Sequence, residues 1–212
     1  MAKLKTIIVS GDIYFITITV VGHTKIFAED KYCQIIIDNF KFYRKKHNFK
    51  LFGFVVMPDH LHLLIFPKVD SEEPTSTPLV DAGSLEPAKR PFVKVGFSKP
   101  TISDIMRDFK KYTAVQIIKQ LKVDGREDVL QFFHYYAQKH HSNRNRHYQV
   151  WLDRFWSTNI YSDKFFHQKL NYLHNNPIRA GLVKKLDDYL WSSYQNYYLN
   201  NHSLIKIDFW EG

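Results

Sequence analysis

The sequence contains a single cysteine, Cys33, so it has no disulfide framework and no zinc site built from cysteine pairs. It also lacks a long apolar run, since no stretch approaches the ~20 residues that a membrane helix needs. The opening segment, MAKLKTIIVS, is too short an apolar run for a secretory signal. These absences predict a reduced, cytoplasmic protein with no membrane partner.

Acidic residues are also in short supply. Asp and Glu total 21 against 30 Lys and Arg, which gives a net charge of +9, and aromatic residues make up 16% of the chain. Cations neutralise phosphates and aromatic rings stack on unpaired bases, so this composition suits nucleic-acid binding. A basic protein with a large aromatic core is equally compatible, because 44% hydrophobic residues are enough for a core at this length.

The hydrophobic pattern predicts a strand, a helix and a hairpin in the first third of the chain. Ile16, Ile18 and Val20 alternate with threonines, as in a half-buried strand. The predicted elements are a strand over 13–21, a helix over 29–46, and two strands over 52–57 and 60–66 that Pro58 and Asp59 join as a hairpin.

Composition changes sharply between residues 69 and 98. Five of the eight prolines lie between Pro74 and Pro100, and the stretch from Asp70 to Glu86 holds five acids and no Lys or Arg. This pattern is typical of a long loop or insertion, in which 93–97 is a candidate short strand.

The clearest helix is predicted over 101–122. Arg107, Lys110 and Lys111 lie off its apolar stripe, where they form either a solvated face or a surface for DNA phosphates. The stripe consists of Ile102, Ile105, Met106, Phe109, Thr113, Ile117 and Leu121.

A second basic stretch, QKHHSNRNRHYQVWLDRFW, spans 138–156. Lys139, Arg144 and Arg146 are interleaved there with histidines and aromatic residues. The pattern indicates a nucleic-acid-facing loop that runs into a strand, and an exposed polar loop is the alternative.

Two histidines share one face of the second hairpin strand. His60 and His62 are two residues apart, so their side chains project from the same face about 7 Å apart along the strand. Two neutral imidazoles at this spacing can bind one divalent cation. They can equally be hydrogen bonded on a half-exposed sheet without a metal, and the motif alone leaves both interpretations open.

A late helix carries a tyrosine that does not have to be buried. Ser162 is predicted to cap this helix and Pro177 to end it after about residue 175. Gln168, Tyr172 and Asn176 are four residues apart and therefore share a face. A phenol beside a metal site could attack a phosphodiester, although it needs activation because the pKa of free tyrosine is about 10.

Asn176 has two competing roles in this pattern. Its amide oxygen could bind the metal one helical turn from Tyr172. Alternatively, Asn176 is an N-cap, with Pro177 in the first turn and Gly181 at a positive φ. His174 is a reserve metal ligand.

Four segments carry a resemblance to a known family. PDHLHLLI (58–65), VWLDRFW (150–156), YLHNNPIRAGLV (172–183) and DYLWSSYQNY (188–197) occur in this order. Together they resemble the single-tyrosine transposases of the HUH superfamily, and most closely the REP-associated tyrosine transposases. The similarity covers most of the chain. The sequence departs from compact members in the 69–98 segment and in a long stretch over 123–146.

The resemblance implies an α/β (α+β) fold, a ferredoxin-like sandwich in which helices cover the faces of a mostly antiparallel sheet. Residues 1–200 would form one catalytic domain, and 201–212 a C-terminal tail. The implied activity is that of a metal-dependent single-strand DNA endonuclease and strand transferase. Tyr172 would form a 5′-phosphotyrosine link, and His60, His62 and Asn176 would bind Mg²⁺ or Mn²⁺.

The implied partner is single-stranded or hairpin DNA, and both a monomer and a homodimer remain open. A nucleic-acid-binding protein that keeps the fold without cutting is the alternative function, and an RNA-directed protein is a third. The candidate DNA-binding residues are Arg107, Lys110, Lys111, Lys139, Arg144 and Arg146.

Overall fold

The computed structural model describes residues 12–67, 101–141 and 146–211, with the side chain of His141 excepted. The predicted insertion at 69–98, the candidate strand at 93–97 and Arg144 lie outside these residues. The described strands are β1 (Ile13–Thr19), β2 (Phe49–Val56), β3 (His60–Pro67) and β4 (Trp156–Ile160). The described helices are α1 (Asp30–Lys46), α2 (Ile102–Val123), α3 (Glu127–His141), α4 (Asp163–Arg179) and α5 (Tyr194–Tyr198), with short 3₁₀ turns at Val21–His23, Ile26–Ala28 and Leu186–Asp188.

The described strands form one antiparallel sheet in the order β2-β3-β1-β4. The predicted hairpin is confirmed: Pro58 and Asp59 form the turn, and Met57 N–H donates to the carbonyl of His60 at 2.8 Å. β2 begins at Phe49, three residues earlier than predicted. β2 and β3 are buried on both faces, which explains why they are almost continuously apolar.

Helices cover both faces of this sheet, and the predicted fold class is confirmed. On one face, Ile16, Ile18 and Leu63 pack with the apolar sides of α1, α2 and α3. On the other face, Phe15 and Leu64 pack with α4. The alternation of side chains along each strand therefore sends consecutive residues of β1 into two different cores.

α2 agrees with its prediction almost residue for residue. Thr101 caps it, and the side chains of Thr101 and Asp104 complete a reciprocal capping box. All seven residues of the predicted stripe are buried. The helix runs one residue beyond its predicted end.

α3 is a helix that the sequence interpretation missed. It occupies most of the stretch treated as long or loop-like, and Lys139 therefore lies on a helix instead of in a loop. Its apolar side recurs at helical spacing in Val129, Leu130, Phe133 and Ala137, all of which are buried. Exposed aromatic and histidine side chains at the other positions of the helix obscured this pattern.

The prediction that Pro177 ends its helix was wrong. Ser162 caps α4 as predicted, but α4 continues through Pro177 to Arg179. Proline removes one backbone donor, and the ladder then resumes as Ala180 N–H donates to the carbonyl of Asn176 at 2.9 Å. The helix ends at Arg179, and Gly181 follows it with the positive φ that was predicted, 69°, in a glycine-based C-terminal motif.

The aromatic segment after α4 covers the outer edge of β2. Val56 N–H donates to the carbonyl of Trp191, and Ser193 N–H to that of Phe54, both at 2.9 Å. The Tyr189 hydroxyl donates to the Val56 carbonyl at 2.6 Å. This segment is therefore packed onto the body of the domain.

Candidate active site

The two histidines of β3 lean toward each other on the face of the sheet that α4 covers. Their Nε2 atoms lie 3.2 Å apart. Two nitrogens that are each about 2.1 Å from one ion, at tetrahedral or octahedral angles, lie about 3.0–3.4 Å apart. The pair therefore has the separation of two ligands of a single cation. The same distance also suits a hydrogen bond from one imidazole to the other.

Each imidazole is held through its other nitrogen. His60 Nδ1 lies 2.6 Å from a carboxylate oxygen of Asp59, and His62 Nδ1 lies 2.8 Å from the Thr17 hydroxyl. Thr17 lies directly opposite His62 in the β1–β3 register. Contacts of this kind orient metal-binding imidazoles and leave the remaining nitrogen free.

The charge state of His62 suits cation binding. Burial, together with the nearby His60 and Lys169, lowers the pKa of His62 to about 3, so its ring is neutral near pH 7. Burial alone would raise the pKa of Asp59, but hydrogen bonds from His60 and His23 outweigh it and lower this pKa. Asp59 is therefore an anion that orients His60.

Tyr172 meets this pair, although more than 100 residues separate them in sequence. Its ring centroid lies 5.6 Å from that of His62 and 5.9 Å from that of Phe15. The Phe15 ring is stacked on that of His62, with 5.2 Å between their centroids, and therefore contacts both site residues. The side chain of Tyr172 is partly exposed, at 37%, as its place off the apolar side of α4 predicted.

Two cations flank the Tyr172 ring, and the sequence interpretation did not single them out. The Lys169 ammonium lies 5.8 Å from the ring centroid and 5.0 Å from that of Phe15. The Arg179 guanidinium lies 5.0 Å from the Tyr172 centroid. The spacing 169, 172, 176 and 179 marks one helical face, and this signal could have identified both residues.

Asn176 lies inside α4, so its interpretation as an N-cap is wrong. It is 9% exposed, and its side-chain nitrogen is buried without a hydrogen-bond partner among the described residues. The Asn176 amide therefore has hydrogen-bonding capacity that no described residue satisfies. An unsatisfied amide one turn from Tyr172 fits a metal ligand, and this role stays a prediction.

The reserve ligand, His174, lies in the core. Its Nε2 is 2.9 Å from the Ser193 hydroxyl, and its ring packs against Tyr194, Tyr197 and Tyr198. Burial lowers its pKa to about 3. Its surroundings are those of a structural residue.

The residues present could bind one divalent cation, but as a ligand set they are incomplete without other groups. Within the described ranges, no group of three or more His, Cys, Asp or Glu is gathered closely enough to hold a metal. Two imidazoles and one amide leave coordination positions for phosphate oxygens and water. This is the arrangement expected where an ion binds partly through its substrate.

A basic groove of about 770 Å³ lies between α2 and residues 146–155. Its cations include four of the candidate DNA-binding residues and one that was not predicted: Arg107, Lys110, Lys111, Arg146 and Arg154. The structure thus brings together two basic segments that are distant in sequence. Lys139 does not line the groove and lies over the Tyr135 ring on α3.

The cations of the groove are not equivalent. Lys110 donates to the backbone carbonyls of Leu152 and Asp153 at 2.6 and 2.7 Å, and burial lowers its pKa to about 8. Arg107 pairs with acidic residues of its own helix, and Arg146 pairs with Asp153 at 3.1 Å. Lys110 is thus a bridge between α2 and the facing segment, and a phosphate would have to compete for it.

Backbone hydrogen bonds join the groove to the histidine pair. Leu152 N–H donates to the carbonyl of Thr19, and Val20 N–H to that of Asp59, both at 2.9 Å. One wall of the groove is therefore continuous with the turn that holds His60.

No protein-family model matches the chain. A solved structure described as a REP-associated tyrosine transposase bound to a REP hairpin matches all of this chain and 92% of its own, with 17% identity and a TM-score of 0.59. The chain thus has the fold of a REP-associated tyrosine transposase. A curated protein of Haemophilus influenzae, named "Putative REP-associated tyrosine transposase", is 23% identical over 195 residues, which cover 92% of this chain and 86% of the relative. The resemblance seen in the sequence motifs is confirmed.

No helix in the described ranges is both long enough and apolar enough to cross a membrane.

Proposed function

We propose that this protein is a single-strand DNA endonuclease and strand transferase of the HUH tyrosine type, acting on hairpin-forming DNA. The observation that carries the proposal is the 5.6 Å approach of the Tyr172 ring to His62, beside two imidazole nitrogens only 3.2 Å apart. A protein that only binds DNA has no need for this juxtaposition. The names of the relatives support the same conclusion.

In this proposal Tyr172 is the nucleophile. Its hydroxyl oxygen bonds to the scissile phosphorus, and the bond from phosphorus to the 3′ oxygen breaks. The phenol proton ends on the departing oxygen, which gives a 5′-phosphotyrosine and a free 3′-OH. Transfer to a second 3′-OH reverses the same exchange, so the link conserves the phosphodiester energy.

The residues around Tyr172 have complementary roles in the proposal. His60, His62 and Asn176 would hold Mg²⁺ or Mn²⁺, which when bound withdraws charge from the phosphoryl oxygens and stabilises the leaving oxygen. Lys169 and Arg179 would pair with the non-bridging oxygens on either side of the phenol. Asp59 and Thr17 would keep the imidazoles oriented.

The proposed substrate is single-stranded or hairpin DNA. The structural neighbour is bound to a REP hairpin. The basic groove of this chain is lined by five cationic side chains and by one acidic side chain, Asp153. Phosphate contacts of this kind position a nucleic acid without reading its sequence. Lys111 and Arg154 are the strongest candidates for these contacts, because neither forms an ion pair or a hydrogen bond to a backbone carbonyl among the residues that the structure describes.

The test uses hairpin DNA that carries an unpaired flank and a label at its 3′ end, because the fragment on the 3′ side of the scissile phosphate is the one that would stay linked to Tyr172. The DNA is incubated with Mn²⁺ and either the wild-type protein or a variant. We expect a labelled band linked to the wild-type protein and none with Tyr172→Phe. Tyr161→Phe is the matched control, because Tyr161 is 80% exposed, precedes α4 and should leave the band unchanged. Binding without a covalent band under any divalent metal would favour a non-cleaving binder. Cleavage of RNA by Tyr172→Phe would favour an RNA-directed function.

A further inference from the structure

Trp156 is a large apolar side chain that the structure leaves in solvent. It is the first residue of β4 and is 81% exposed, whereas Trp151 and Trp191 are buried. Its indole makes no ring contact or hydrogen bond within the described ranges. An aromatic residue in this state contributes little to folding, and exposed aromatic surface often marks a binding site.

The strand register puts Trp156 on the same face of the sheet as the candidate active site. Trp156 lies opposite Thr17, and Thr17 lies opposite His62. Residues directly opposite each other in an antiparallel sheet project to the same face. Alternation along β4 agrees, because Ile160 packs with Phe15 in the core beneath α4.

β1 lies between the strands of Trp156 and His62, so the backbones of these two residues are two strand spacings apart, or about 10 Å. Nucleotides are spaced about 3.4 Å along one strand of a duplex and farther apart when extended. A base on the indole would therefore belong to a nucleotide within a few positions of a phosphate at Tyr172.

The electrostatic surroundings fit a nucleic acid. Arg154 lies two residues before Trp156 and lines the basic groove with Arg107 and Lys111, although the α2 wall of this groove packs on the face of the sheet opposite to Trp156. Alternating cations and aromatic faces are the usual means of holding a single strand, because the cations follow the phosphates and any base can stack. A fully paired duplex offers no free base face to an edge strand.

We propose that Trp156 is a stacking platform for an unpaired base beside the cleavage position. The proposal rests on the proposed DNA-processing function, and it adds a residue that positions the single strand as it enters the site. The indole fixes where the unpaired flank crosses the edge of the sheet, and so sets the offset between hairpin and scissile phosphate. Sequence preference at this position would be weak, since stacking tolerates every base.

The test measures binding in the Tyr172→Phe background, so that cleavage does not contribute. Fluorescence anisotropy follows two labelled ligands, an unstructured single strand and a blunt hairpin without a flank. Trp156→Ala should weaken single-strand binding about 5- to 150-fold, the range for loss of one stacked base. Trp156→Phe should restore most of the affinity, and hairpin binding should change little in both variants.

Phe42→Ala is the matched control. Phe42 is an aromatic residue that is 59% exposed and belongs to α1, on the opposite face of the sheet. Its removal should leave both affinities unchanged. As a measurement independent of the alanine variant, tryptophan emission should be quenched when the single strand binds, and Trp156→Phe should lose this quenching.

Unchanged single-strand affinity in Trp156→Ala would overturn the proposal, as would equal losses for single strand and hairpin, or a failure of phenylalanine to rescue. These outcomes are distinct from failure of the proposed function. A wild-type protein that forms no covalent band can still show the Trp156 effect on binding, and a protein that forms the band can lack it.

Discussion

The hydroxyl of Thr17 lies 2.8 Å from Nδ1 of His62, and the two residues face each other across β1 and β3. Removing this contact should loosen the imidazole without removing it. We expect Thr17→Val to lower Mn²⁺ affinity about 10- to 100-fold, the usual effect of losing a partner behind a metal ligand. The Mn²⁺ concentration that gives half-maximal covalent product measures the change. Thr17→Ser keeps the hydroxyl and should behave like the wild type, and equal behaviour of Val and Ser would contradict the prediction.

The histidine pair itself should be indispensable for cleavage and dispensable for binding. We expect His60→Ala and His62→Ala each to abolish the covalent product, because a single imidazole with one amide holds the ion poorly. DNA affinity by anisotropy should stay close to that of the wild type. His167→Ala is the control, since His167 is an exposed histidine on α4. Normal cleavage by both site variants would mean that the pair is structural.

Lys169 and Arg179 should act on rate more than on affinity. We expect Lys169→Met and Arg179→Met to slow formation of the covalent link about 100-fold, a typical cost of removing one group that stabilises transition-state charge. Lys164→Met changes an exposed lysine of the same helix and should have no effect. Single-turnover rates at saturating DNA measure this. A loss confined to the dissociation constant would assign the two cations to general DNA attraction.

Lys110 and Lys111 are neighbours in sequence and should differ in effect. Lys111→Gln should flatten the salt dependence of DNA binding by about one unit per lost phosphate contact. Lys110→Met removes the bridge to Leu152 and Asp153, and should instead lower the free energy of unfolding by about 1–3 kcal/mol. Salt titrations and urea unfolding separate the two effects. A shallower salt slope in Lys110→Met at unchanged stability would place its ammonium on the phosphates.

His174 should make the fold sensitive to acid. Its native pKa is lowered by burial to about 3, whereas an unfolded histidine has a pKa of about 6.5. Between these values the unfolded chain binds the additional proton, so the contribution of this group is complete above pH 6.5 and decreases as pH falls. His174→Gln should reduce the slope of stability between pH 6 and pH 4 by about 1.4 kcal/mol per pH unit, which chemical denaturation at several pH values can measure.

Sequence periodicity predicted the elements whose apolar sides are uninterrupted. α2 followed its stripe because every apolar position faces one core and a capping box defines its start. α3 was missed although four core residues recur at helical spacing, because exposed aromatic and histidine side chains fill the other positions. Pro177 illustrates a different limit, since packing of α4 on the sheet outweighs the local preference of proline to stop a helix.

The sequence predicted the reactive residues of the candidate site better than it predicted the contacts that surround them. The residue types of His60, His62 and Tyr172 indicated which groups could react, and the structure brings them together. Lys169 and Arg179 could have been found by following the helical face of Tyr172. The bridge from Lys110 to Leu152 could not, because it depends on a tertiary contact between segments about 40 residues apart. In the sequence, Trp156 is one of several aromatic residues in a basic stretch and is not distinguished from them. Only the strand register shows that it shares a face with the candidate active site.

The aromatic segment bound along β2 has an implication for assembly. Backbone groups at the outer edge of β2 already form hydrogen bonds with Trp191 and Ser193. A neighbouring molecule could therefore add a strand to the described sheet only beside β4. A strand of a second molecule that paired with β4 would cover Trp156 and block the proposed binding of single-stranded DNA there. Self-association through this edge and nucleic-acid engagement would then be competing states of one surface.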